Sequence, residues 1–424
     1  MFGGTSAQPR RRRHEAVNYR FSRAYPGLTI KALRYMAKPS EAPSISAAIC
    51  PPQPLQGRGA LTNADGRFEP YTHEPVVDDA VQGCTNAAGA GRAGAAGWDS
   101  LEAALPPLKT TVSIDTPRTI IARNDSPDIP FSQSINPYRG CEHGCIYCYA
   151  RPSHAYLGLS PGLDFETRLI AKPTAARLLE QELRRPGYAV SPIALGSNTD
   201  PYQPIERKLR ITRQILEVLV AHEHPFTIVT KSALVERDLD LLAPMAEKNL
   251  CAVFVSVTTL DRELARRLEP RAAAPARRLR AIQALAAAGV PTGAMFAPAI
   301  PALNDHEMET VLEAAADAGA HHAGWTLLRL LYEIKDLFKE WLTVHAPGRA
   351  EHVLSLIRQS RGGRENDPRF GHRFRGEGEY AGLLARRFRL ACRRLGLNRR
   401  SLALDSTRFN PPKIAGDQLD LFPG

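Results

Sequence analysis

The amino-acid sequence predicts an α/β protein whose core is an open partial barrel of about six βα units. From about residue 110 onward, short apolar runs alternate with amphipathic stretches, and this alternation is typical of a parallel sheet covered by helices. Polar motifs follow most of the apolar runs, and the functional residues of parallel barrels lie at the carboxyl ends of the strands. The predicted strands lie near 135–140 and at 192–197, 226–230, 251–258, 292–298 and 321–328.

Two helices between these strands are predicted from apolar residues at helical spacing. The first covers 206–221, with arginines away from its apolar face, and the second covers 276–288. Gly289 follows the second helix, and glycine is a common stop signal at that position. The residues expected to face the core are Leu209, Ile215, Leu216, Leu219, Leu279, Ile282 and Ala286.

Composition separates the barrel from the rest of the chain. The first 54 residues contain four consecutive arginines and many prolines without periodicity, so disorder is expected there. The predicted segments are a disordered basic N-terminus (1–54), an extended arm and Gly/Ala linker (55–109), the barrel core (110–345), an arginine-rich helical extension (346–405) and a flexible tail (406–424).

The chain carries no signal for a membrane or an oxidising compartment. No run of about 18 apolar residues occurs, so no transmembrane helix and no membrane partner are expected. The N-terminus has charge but no apolar region, so it is not a secretory signal. The cysteines outside the motif described next are scattered and form no disulfide pattern. A cytoplasmic location is therefore expected.

Three cysteines in the run NPYRGCEHGCIYCYA carry the clearest chemical signal. Cys141, Cys145 and Cys148 are spaced C-x₃-C-x₂-C, and three thiolates on one loop can bind three irons of a [4Fe–4S] cluster. No fourth cysteine, the usual closing ligand, follows nearby. The fourth iron would stay open to the amino and carboxylate groups of S-adenosylmethionine. The alternative is a structural zinc site with His143 or His154 as fourth ligand, but zinc sites usually contain a second cysteine pair.

Residues 110–345 resemble the radical S-adenosylmethionine (SAM) superfamily, and within it the spore photoproduct lyase-like, or DNA repair photolyase-like, proteins. The resemblance implies a partial TIM barrel and a lyase-like radical enzyme with a [4Fe–4S] cluster and S-adenosyl-L-methionine as cofactors. It also implies an electron donor of the flavodoxin or ferredoxin type, and it favours DNA as the substrate. The motifs that carry it are NPYRG at 136–140 with the cysteines, GSNTDPYQPIE at 196–206, VTKS at 229–232, SVTTLD at 256–261, LEPRAAAP at 268–275 and PAIPALND at 298–305.

The same resemblance suggests roles for two tyrosines beside the last cysteine. Tyr147 stands where superfamily members contact the adenine region, and Tyr149 is a candidate catalytic residue. The alternative for both is packing over the cluster to exclude water. Spore photoproduct lyase has a further cysteine that returns a hydrogen atom to the product, and no cysteine occupies the matching stretch here. Cys251 is the candidate substitute, although a buried cysteine usually acts as a small apolar residue.

Further cofactor-binding candidates follow the later strands. Ser197, Asn198 and Asp200 form a polar run that can bind the methionine amino group or the ribose, or can simply form a turn. Lys231 is expected to pair with a carboxylate, either that of the cofactor or that of Glu206. A last candidate, Ser256, resembles a ribose-contacting position.

An arginine-rich stretch suggests a polyanionic partner. Residues 349–400 contain 14 arginines and 5 acidic residues, and a localised basic surface is typical of nucleic-acid binding. Arg386, Arg389 and Arg393 share one face of the predicted helix there. The alternative is a solvated face in an arginine-rich composition. Two other functions therefore stay open: a radical enzyme with a small-molecule or protein substrate, and a non-catalytic cluster protein that binds DNA.

The tail ends in an apolar peptide that an exposed segment would not normally carry. Its sequence QLDLF resembles the short motif by which bacterial repair proteins and polymerases bind the DNA sliding clamp. Binding would use the side chains of Gln418, Leu419, Leu421 and Phe422, since a few buried anchors carry most of the affinity of such peptides. The alternative is that Leu421 and Phe422 fold back onto the barrel.

Overall fold

The structure is a computed structural model that describes residues 54–68 and 109–413. Most of the predicted N-terminal disorder, most of the arm and linker, and the tail peptide lie outside these residues. The strands are β1 (Thr111–Ile114), β2 (Ala122–Arg123), β3 (Gln133–Ile135), β4 (Tyr138–Arg139), β5 (Arg168–Ala171), β6 (Ile193–Leu195), β7 (Phe226–Thr230), β8 (Cys251–Ser256), β9 (Thr292–Ala299) and β10 (His322–Leu327).

Six parallel strands form the central sheet of the described residues. They are ordered β3-β6-β7-β8-β9-β10, and β2 adds to the β3 edge in antiparallel orientation. A separate three-stranded sheet has the order β1-β5-β4. The parallel strands are short and follow one another in chain order, as βα units do. The predicted open barrel of six units is confirmed.

The first strand of the barrel lies earlier than predicted. A single strand was expected near 135–140, but β3 ends at Ile135, and β4 pairs with β5 in the other sheet. Pro137 separates the two strands, and proline has no N–H to donate to a continuing ladder. Its carbonyl instead accepts from the Lys172 N–H at 3.1 Å.

Helices alternate with the strands along the chain, and several of them pack on the parallel sheet. Each lies between consecutive strands or after the last one, as the alternating pattern predicted. They are α1 (Asp164–Thr167), α2 (Ala175–Leu183), α3 (Glu206–Leu209), α4 (Ile211–Ala221), α5 (Leu239–Glu247), α6 (Arg262–Leu268), α7 (Pro275–Ala287), α8 (Met308–Asp317), α9 (Ile334–His345), α10 (Ala350–Gln359) and α11 (Gly378–Leu395).

The prediction of one helix over 206–221 is wrong. Arg210 adopts a left-handed conformation (φ 53°), which ends α3 and begins α4. The Glu206 carboxylate accepts from the Thr212 N–H at 3.0 Å, so it satisfies a donor in the first turn of α4. Leu209 is consequently 37% exposed instead of buried. The second predicted helix agrees with α7, and Gly289 follows it at φ +75°.

The main core lies between the sheet and the helices that cover it. Along β7, Phe226, Ile228 and Thr230 are buried, whereas the alternate residues are partly exposed toward the barrel interior. This alternation is the period of a strand with one face packed and one face open. No helix among the described residues is long and apolar enough to cross a membrane.

Candidate active site

The loop 140–150 carries the three cysteines and lies across the carboxyl ends of several strands. His143 contacts Asp200 after β6, with 3.3 Å between Nδ1 and Oδ2. The Ile146 N–H donates to the Leu268 carbonyl at 3.1 Å, and the Tyr149 hydroxyl donates to the Ser197 carbonyl. The predicted convergence of distant motifs at one end of the barrel is therefore visible in the contacts of this loop.

The three thiols do not form the close group of ligands that a single zinc ion requires. Around a single tetrahedral zinc with Zn–S bonds of 2.3 Å, sulfur atoms lie about 3.8 Å apart. Among the described residues, the only three or more possible ligands with atoms within 4.8 Å of one another are Asp367, His372 and Glu377. The three cysteine sulfurs are thus not all within 4.8 Å of one another, and a cubane, unlike a single ion, would bind each thiolate at a different iron. Both acids of that other group already accept from Arg369.

The chemistry of the three cysteines also fits a metal cluster. Burial raises the pKa of each thiol, and negative charge on Asp200, Cys145 and Cys148 would raise that of Cys141 further. Three thiolates on one short loop would repel one another without a cation, and metal binding supplies that cation. His143 and His154, the alternative zinc ligands, have other partners: Asp200 for His143 and the Arg168 carbonyl for His154 Nε2, at 3.0 Å.

A buried ion pair fixes the backbone of the cysteine loop. Arg151 and Glu166 are fully buried and paired. The Arg151 guanidinium also donates to the Cys145 carbonyl at 2.9 Å and to the Gly144 carbonyl at 3.1 Å. A charge removed from water is tolerated when it is paired and fully hydrogen-bonded. These bonds hold the loop between its first and last cysteines.

The arm at 54–68 packs directly on this loop. The N–H groups of Gly59 and Ala60 donate to the Glu166 carboxylate at 3.0 and 2.8 Å. A Cβ on Gly59 would lie 1.8 Å from the Gly144 carbonyl oxygen, so no larger residue fits at that contact. Gly144 itself has φ +67°, a conformation that glycine adopts at little cost. An extended arm along the core was predicted for this region, and its described part lies there.

Asp200 joins three parts of the site. Its oxygens accept from the Thr230 hydroxyl and the Lys231 N–H, each at 2.7 Å, and contact His143. Burial alone would raise the pKa of Asp200, but its contact with His143 and these hydrogen bonds hold it at about 2. The carboxylate is therefore charged and fully engaged. It positions the cysteine loop against the end of β7.

Ser197 and Asn198 are held by a side chain from the NPYRG motif. The Asn136 amide donates to the Ser197 hydroxyl at 3.1 Å, and its oxygen accepts from the Asn198 N–H at 2.9 Å. These bonds anchor the loop after β6 to the end of β3. The Asn198 side chain stays partly exposed beside the cysteine loop.

A second buried network surrounds Tyr147. Its hydroxyl donates to Glu269, which also accepts from the Thr258 hydroxyl at 2.6 Å and pairs with Arg278. Burial would raise the pKa of Glu269, but the charges of Arg278 and Lys231 and these bonds lower it to about 2. The Tyr147 ring is thus fixed beside the cysteines. The sequence around Tyr147 does not indicate Glu269 as the hydrogen-bond partner of this tyrosine.

Lys231 lies within this group of side chains. Its Nζ lies 5.8 Å from the centroid of the Tyr147 ring, and its charge interacts with Cys145 and Glu269. The expected pairing with Glu206 is not formed, because Glu206 is occupied by Arg237 and the Tyr138 hydroxyl. Among the described residues, no carboxylate lies within 4 Å of this ammonium.

Ser256 lies next to the network of Tyr147, Glu269 and Arg278, whereas Cys251 lies away from the cysteine loop. Ser256 ends β8, and its carbonyl accepts from Arg278 at 3.1 Å. Cys251 begins the same strand and is fully buried, with its thiol 3.3 Å from the Leu242 carbonyl on α5. It therefore faces the outer helices at the opposite end of the barrel, so the structure does not bring Cys251 to the site.

The arginine face of α11 also lies away from the cysteines. The helix begins near the carboxyl ends of the strands, where the Tyr380 hydroxyl donates to Asp305 at 2.6 Å. Beyond its end, the Asn398 amide donates to the Ala323 carbonyl at the start of β10 at 2.9 Å. The helix therefore runs toward the amino-terminal end of the sheet. Its exposed arginines at 386, 389 and 393 follow that course, whereas Leu384, Phe388 and Ala391 on another face of the helix are buried.

Exposed aromatic rings gather near the cysteine loop. The exposed Phe and Tyr residues among the described residues come from three parts of the chain. One lies in the arm, two lie in the cysteine loop and its continuation, and two lie in the segments after β10. We call this set the rim aromatic surface; its members are Phe68, Tyr149, Tyr156, Tyr332 and Phe370, with exposures from 49% to 70%.

Arginines lie against these rings. The Arg67 guanidinium carbon lies 4.8, 5.0 and 4.2 Å from the ring centroids of Phe68, Tyr156 and Tyr332. The Phe370 ring has the Arg373 guanidinium at 4.7 Å. Cation–π contacts of this kind hold aromatic rings in place while leaving one face open.

Comparison with known proteins places these features in one family. A family model described as the radical SAM superfamily matches residues 135–315. An uncharacterised protein of Mycobacterium tuberculosis is 38% identical over 233 residues, which cover 54% of this chain and 68% of the relative. An uncharacterised protein of Methanocaldococcus jannaschii is 28% identical over 173 residues, covering 41% of this chain and 62% of that relative.

Solved structures of similar fold are also known. Spore photoproduct lyase complexed with dinucleoside spore photoproduct is similar with a TM-score of 0.50 and 16% sequence identity. The match covers 68% of this chain and 80% of that chain. A single-substitution variant of the same lyase is similar to the same extent, with 17% identity.

Proposed function

Because this chain belongs to the radical SAM superfamily, we propose that it is a radical enzyme that repairs or modifies a base in nucleic acid, with DNA as the preferred substrate. The superfamily uses a [4Fe–4S] cluster and S-adenosylmethionine, which when bound supply a 5′-deoxyadenosyl radical. It also requires an electron donor, for which a flavodoxin or ferredoxin is proposed. The protein's own part is to bind, orient and exclude water.

We assign the metal ligands to Cys141, Cys145 and Cys148. The three sulfurs are not all within 4.8 Å of one another, and Cys141 and Cys145 are buried; both observations support this assignment. The Lys231 ammonium, which lacks the Glu206 partner expected from the sequence, would bind the cofactor carboxylate. Tyr147, fixed by Glu269, would pack beside the cluster and exclude water.

The polar groups after β6 and β8 complete the proposed cofactor site. Ser197, Asn198 and Ser256 lie at strand ends next to the cysteine loop and would contact the amino group and the ribose. Asp200 acts through its neighbours, because its oxygens are already occupied. Tyr149 is the proposed catalytic tyrosine: its ring is 49% exposed at the rim, where a substrate would approach.

The rim aromatic surface carries the proposal of a nucleic-acid substrate. Proteins that bind single strands combine aromatic rings, on which bases stack, with arginines that contact the backbone. Here the exposed rings and their arginines lie around the loop that bears the cysteines. An enzyme that reacts with a base must receive it unpaired or flipped out. In spore photoproduct lyase, a similar fold accommodates a dinucleoside photoproduct.

Isotope transfer tests the proposal directly. Reconstituted, reduced protein would be incubated with S-adenosylmethionine and oligonucleotides deuterated in the sugar or base. The expected result is deuterium in 5′-deoxyadenosine from one labelled position. Formation of 5′-deoxyadenosine without deuterium from any labelled DNA or RNA would contradict a nucleic-acid substrate while leaving the radical chemistry intact.

Binding measurements separate the two candidate nucleic-acid surfaces. Tyr156→Ala with Tyr332→Ala should weaken binding of a short single strand, whereas Leu383→Ala, an exposed apolar change on α11, should not. Replacing the three exposed α11 arginines by Gln should weaken binding of long duplexes and flatten its salt dependence. Equal affinity of the double tyrosine variant and the intact protein for single strands would remove the aromatic surface from the proposal.

A further inference from the structure

The Arg329 guanidinium has no hydrogen-bond acceptor among the residues that the structure describes. It follows the end of β10 by two residues, so it lies at the carboxyl end of the barrel. Within residues 54–68 and 109–413, no carboxylate lies within 4 Å of its guanidinium, and its Nε is buried without a hydrogen-bond partner. A half-buried arginine whose Nε is shielded from water normally pairs with an anion.

The surroundings of Arg329 are positively charged. The neighbouring Arg361 side chain is 1% exposed, and its Nε also has no hydrogen-bond partner among the described residues. Burial and the positive charge of Arg329 lower the pKa of Arg361 to about 10. The acids nearby have other partners: Asp128 pairs with Arg373, and Asp367 accepts from Arg369. The group therefore has more cations than anions.

The Arg329 guanidinium is also held in one orientation. Its Cζ lies 4.8 Å from the centroid of the Phe374 ring, and Arg373 lies 4.9 Å from the same ring. The Arg361 guanidinium donates to the Leu328 carbonyl at 2.6 Å, which fixes the backbone next to Arg329. A planar guanidinium fixed in this way matches the oxygens of a phosphate better than a mobile side chain does.

Arg329 is close enough to Tyr149 to interact with it electrostatically. Tyr149 belongs to the rim aromatic surface and to the cysteine loop. A group bound by Arg329 would therefore lie beside the place where a substrate meets the proposed radical site.

We propose that Arg329, supported by Arg361 and Phe374, binds one phosphodiester group of the nucleic-acid substrate next to Tyr149. This inference rests on the proposed function and adds a specific contact to it. The phosphate would neutralise the excess positive charge and fix the position of the adjoining nucleotide. A phosphate contact carries no base information, so it would set register and orientation at the rim.

A neutral-backbone probe tests this contact. Full-length reconstituted protein would be titrated with short single-stranded oligothymidine in which one phosphate at a time is replaced by an uncharged methylphosphonate. For the intact protein, one replacement should weaken binding roughly tenfold, as expected for a charge-assisted hydrogen bond. Arg329→Gln should lose a similar factor with the unmodified strand and should no longer respond to that replacement.

Two further variants make the result specific. Arg280→Gln removes an exposed arginine on α7, outside the site, and should bind like the intact protein. Arg329→Lys keeps the charge without the planar fork and should recover part of the affinity. Cluster absorbance should be unchanged in all three variants.

The outcomes distinguish this inference from the proposed function. If the intact protein binds the strand and Arg329→Gln binds it equally well, the phosphate contact is wrong and the nucleic-acid function stands. If Arg329→Gln binds more weakly but still responds to the same methylphosphonate, the contacted phosphate belongs to another residue. If the intact protein binds none of the strands, both ideas fail together.

Discussion

Arg373 and Asp128 form a two-point ion pair across 245 residues of sequence, with Nε–Oδ2 at 2.8 Å and Nη2–Oδ1 at 2.5 Å. Asp128 lies between β2 and β3 at one edge of the sheet. Arg373 belongs to the segment that contacts β10 at the other edge, where the Leu327 N–H donates to the Phe374 carbonyl at 2.8 Å. The pair therefore connects the two open edges of the barrel.

We expect Asp128→Asn to destabilise the protein by about 1–3 kcal/mol at neutral pH, because it leaves the Arg373 charge without its partner. Burial would raise the pKa of Asp128, but Arg373 and the Gly371 N–H lower it below its usual 3.8. Its contribution is therefore present above about pH 4 and is lost as pH falls through the lowered pKa. Thermal unfolding of both proteins at several pH values would measure this, and curves separated equally at pH 7 and at pH 2 would contradict it.

Removing any one of the three loop cysteines should abolish cofactor cleavage. Cys141→Ala, Cys145→Ala and Cys148→Ala should each lose most of the brown cluster absorbance and the formation of 5′-deoxyadenosine. Cys251→Ala is the matched control, since its thiol faces α5 and should leave both signals intact. A triple variant that still binds iron at full stoichiometry would refute the assignment of these ligands.

Glu269→Gln should be far more damaging than a similar change in a neighbouring pair. It leaves Arg278 buried without its partner, which costs about 3–5 kcal/mol, and it loosens Tyr147 beside the cysteines. The control is Glu236→Gln, whose partner Arg277 is 46% exposed and whose pair should contribute at most about 1 kcal/mol. Denaturant unfolding gives the two energies, and equal losses would show that the buried network is not needed.

Binding of the tail peptide QLDLF to the sliding clamp can be tested directly. A titration of the bacterial sliding clamp with intact protein should give micromolar or tighter binding, and Leu421→Ala with Phe422→Ala should remove it. The apolar side chains are the anchors in this prediction, so Asp420→Asn serves as the control and should retain binding. Absence of binding by the intact chain would favour the alternative, in which the peptide packs on its own barrel.

The fold and the cysteine motif could be predicted because both are local patterns. Most strands of the barrel after the first are short, largely apolar runs, and the three cysteines lie within eight residues. The break at Arg210 could not be predicted, because it depends on the Glu206 carboxylate capping the following turn. Leu209 follows the helical spacing and is nevertheless exposed.

The hydrogen-bond and ion-pair partners of the site residues also could not be predicted from the sequence. Lys231 was expected to pair with either the cofactor carboxylate or Glu206. The Glu206 carboxylate instead pairs with Arg237 and accepts a hydrogen bond from Tyr138. Glu269 lies within the LEPR motif, so its neighbourhood was indicated although its role was not. Arg329 belongs to no motif, and its position is unusual only because the described residues around it supply no hydrogen-bond acceptor.

The contact between Gly59 and the cysteine loop bears on how shortened versions of this protein should be designed. A version that starts at β1 would keep every strand of the barrel and would still look complete by its sheet. It would, however, lose two N–H donors to the buried Glu166 carboxylate and uncover the Gly144 carbonyl. An internal deletion that joins residue 68 to residue 109 through a short flexible spacer keeps both. Such a version should therefore assemble iron where the version lacking the arm does not.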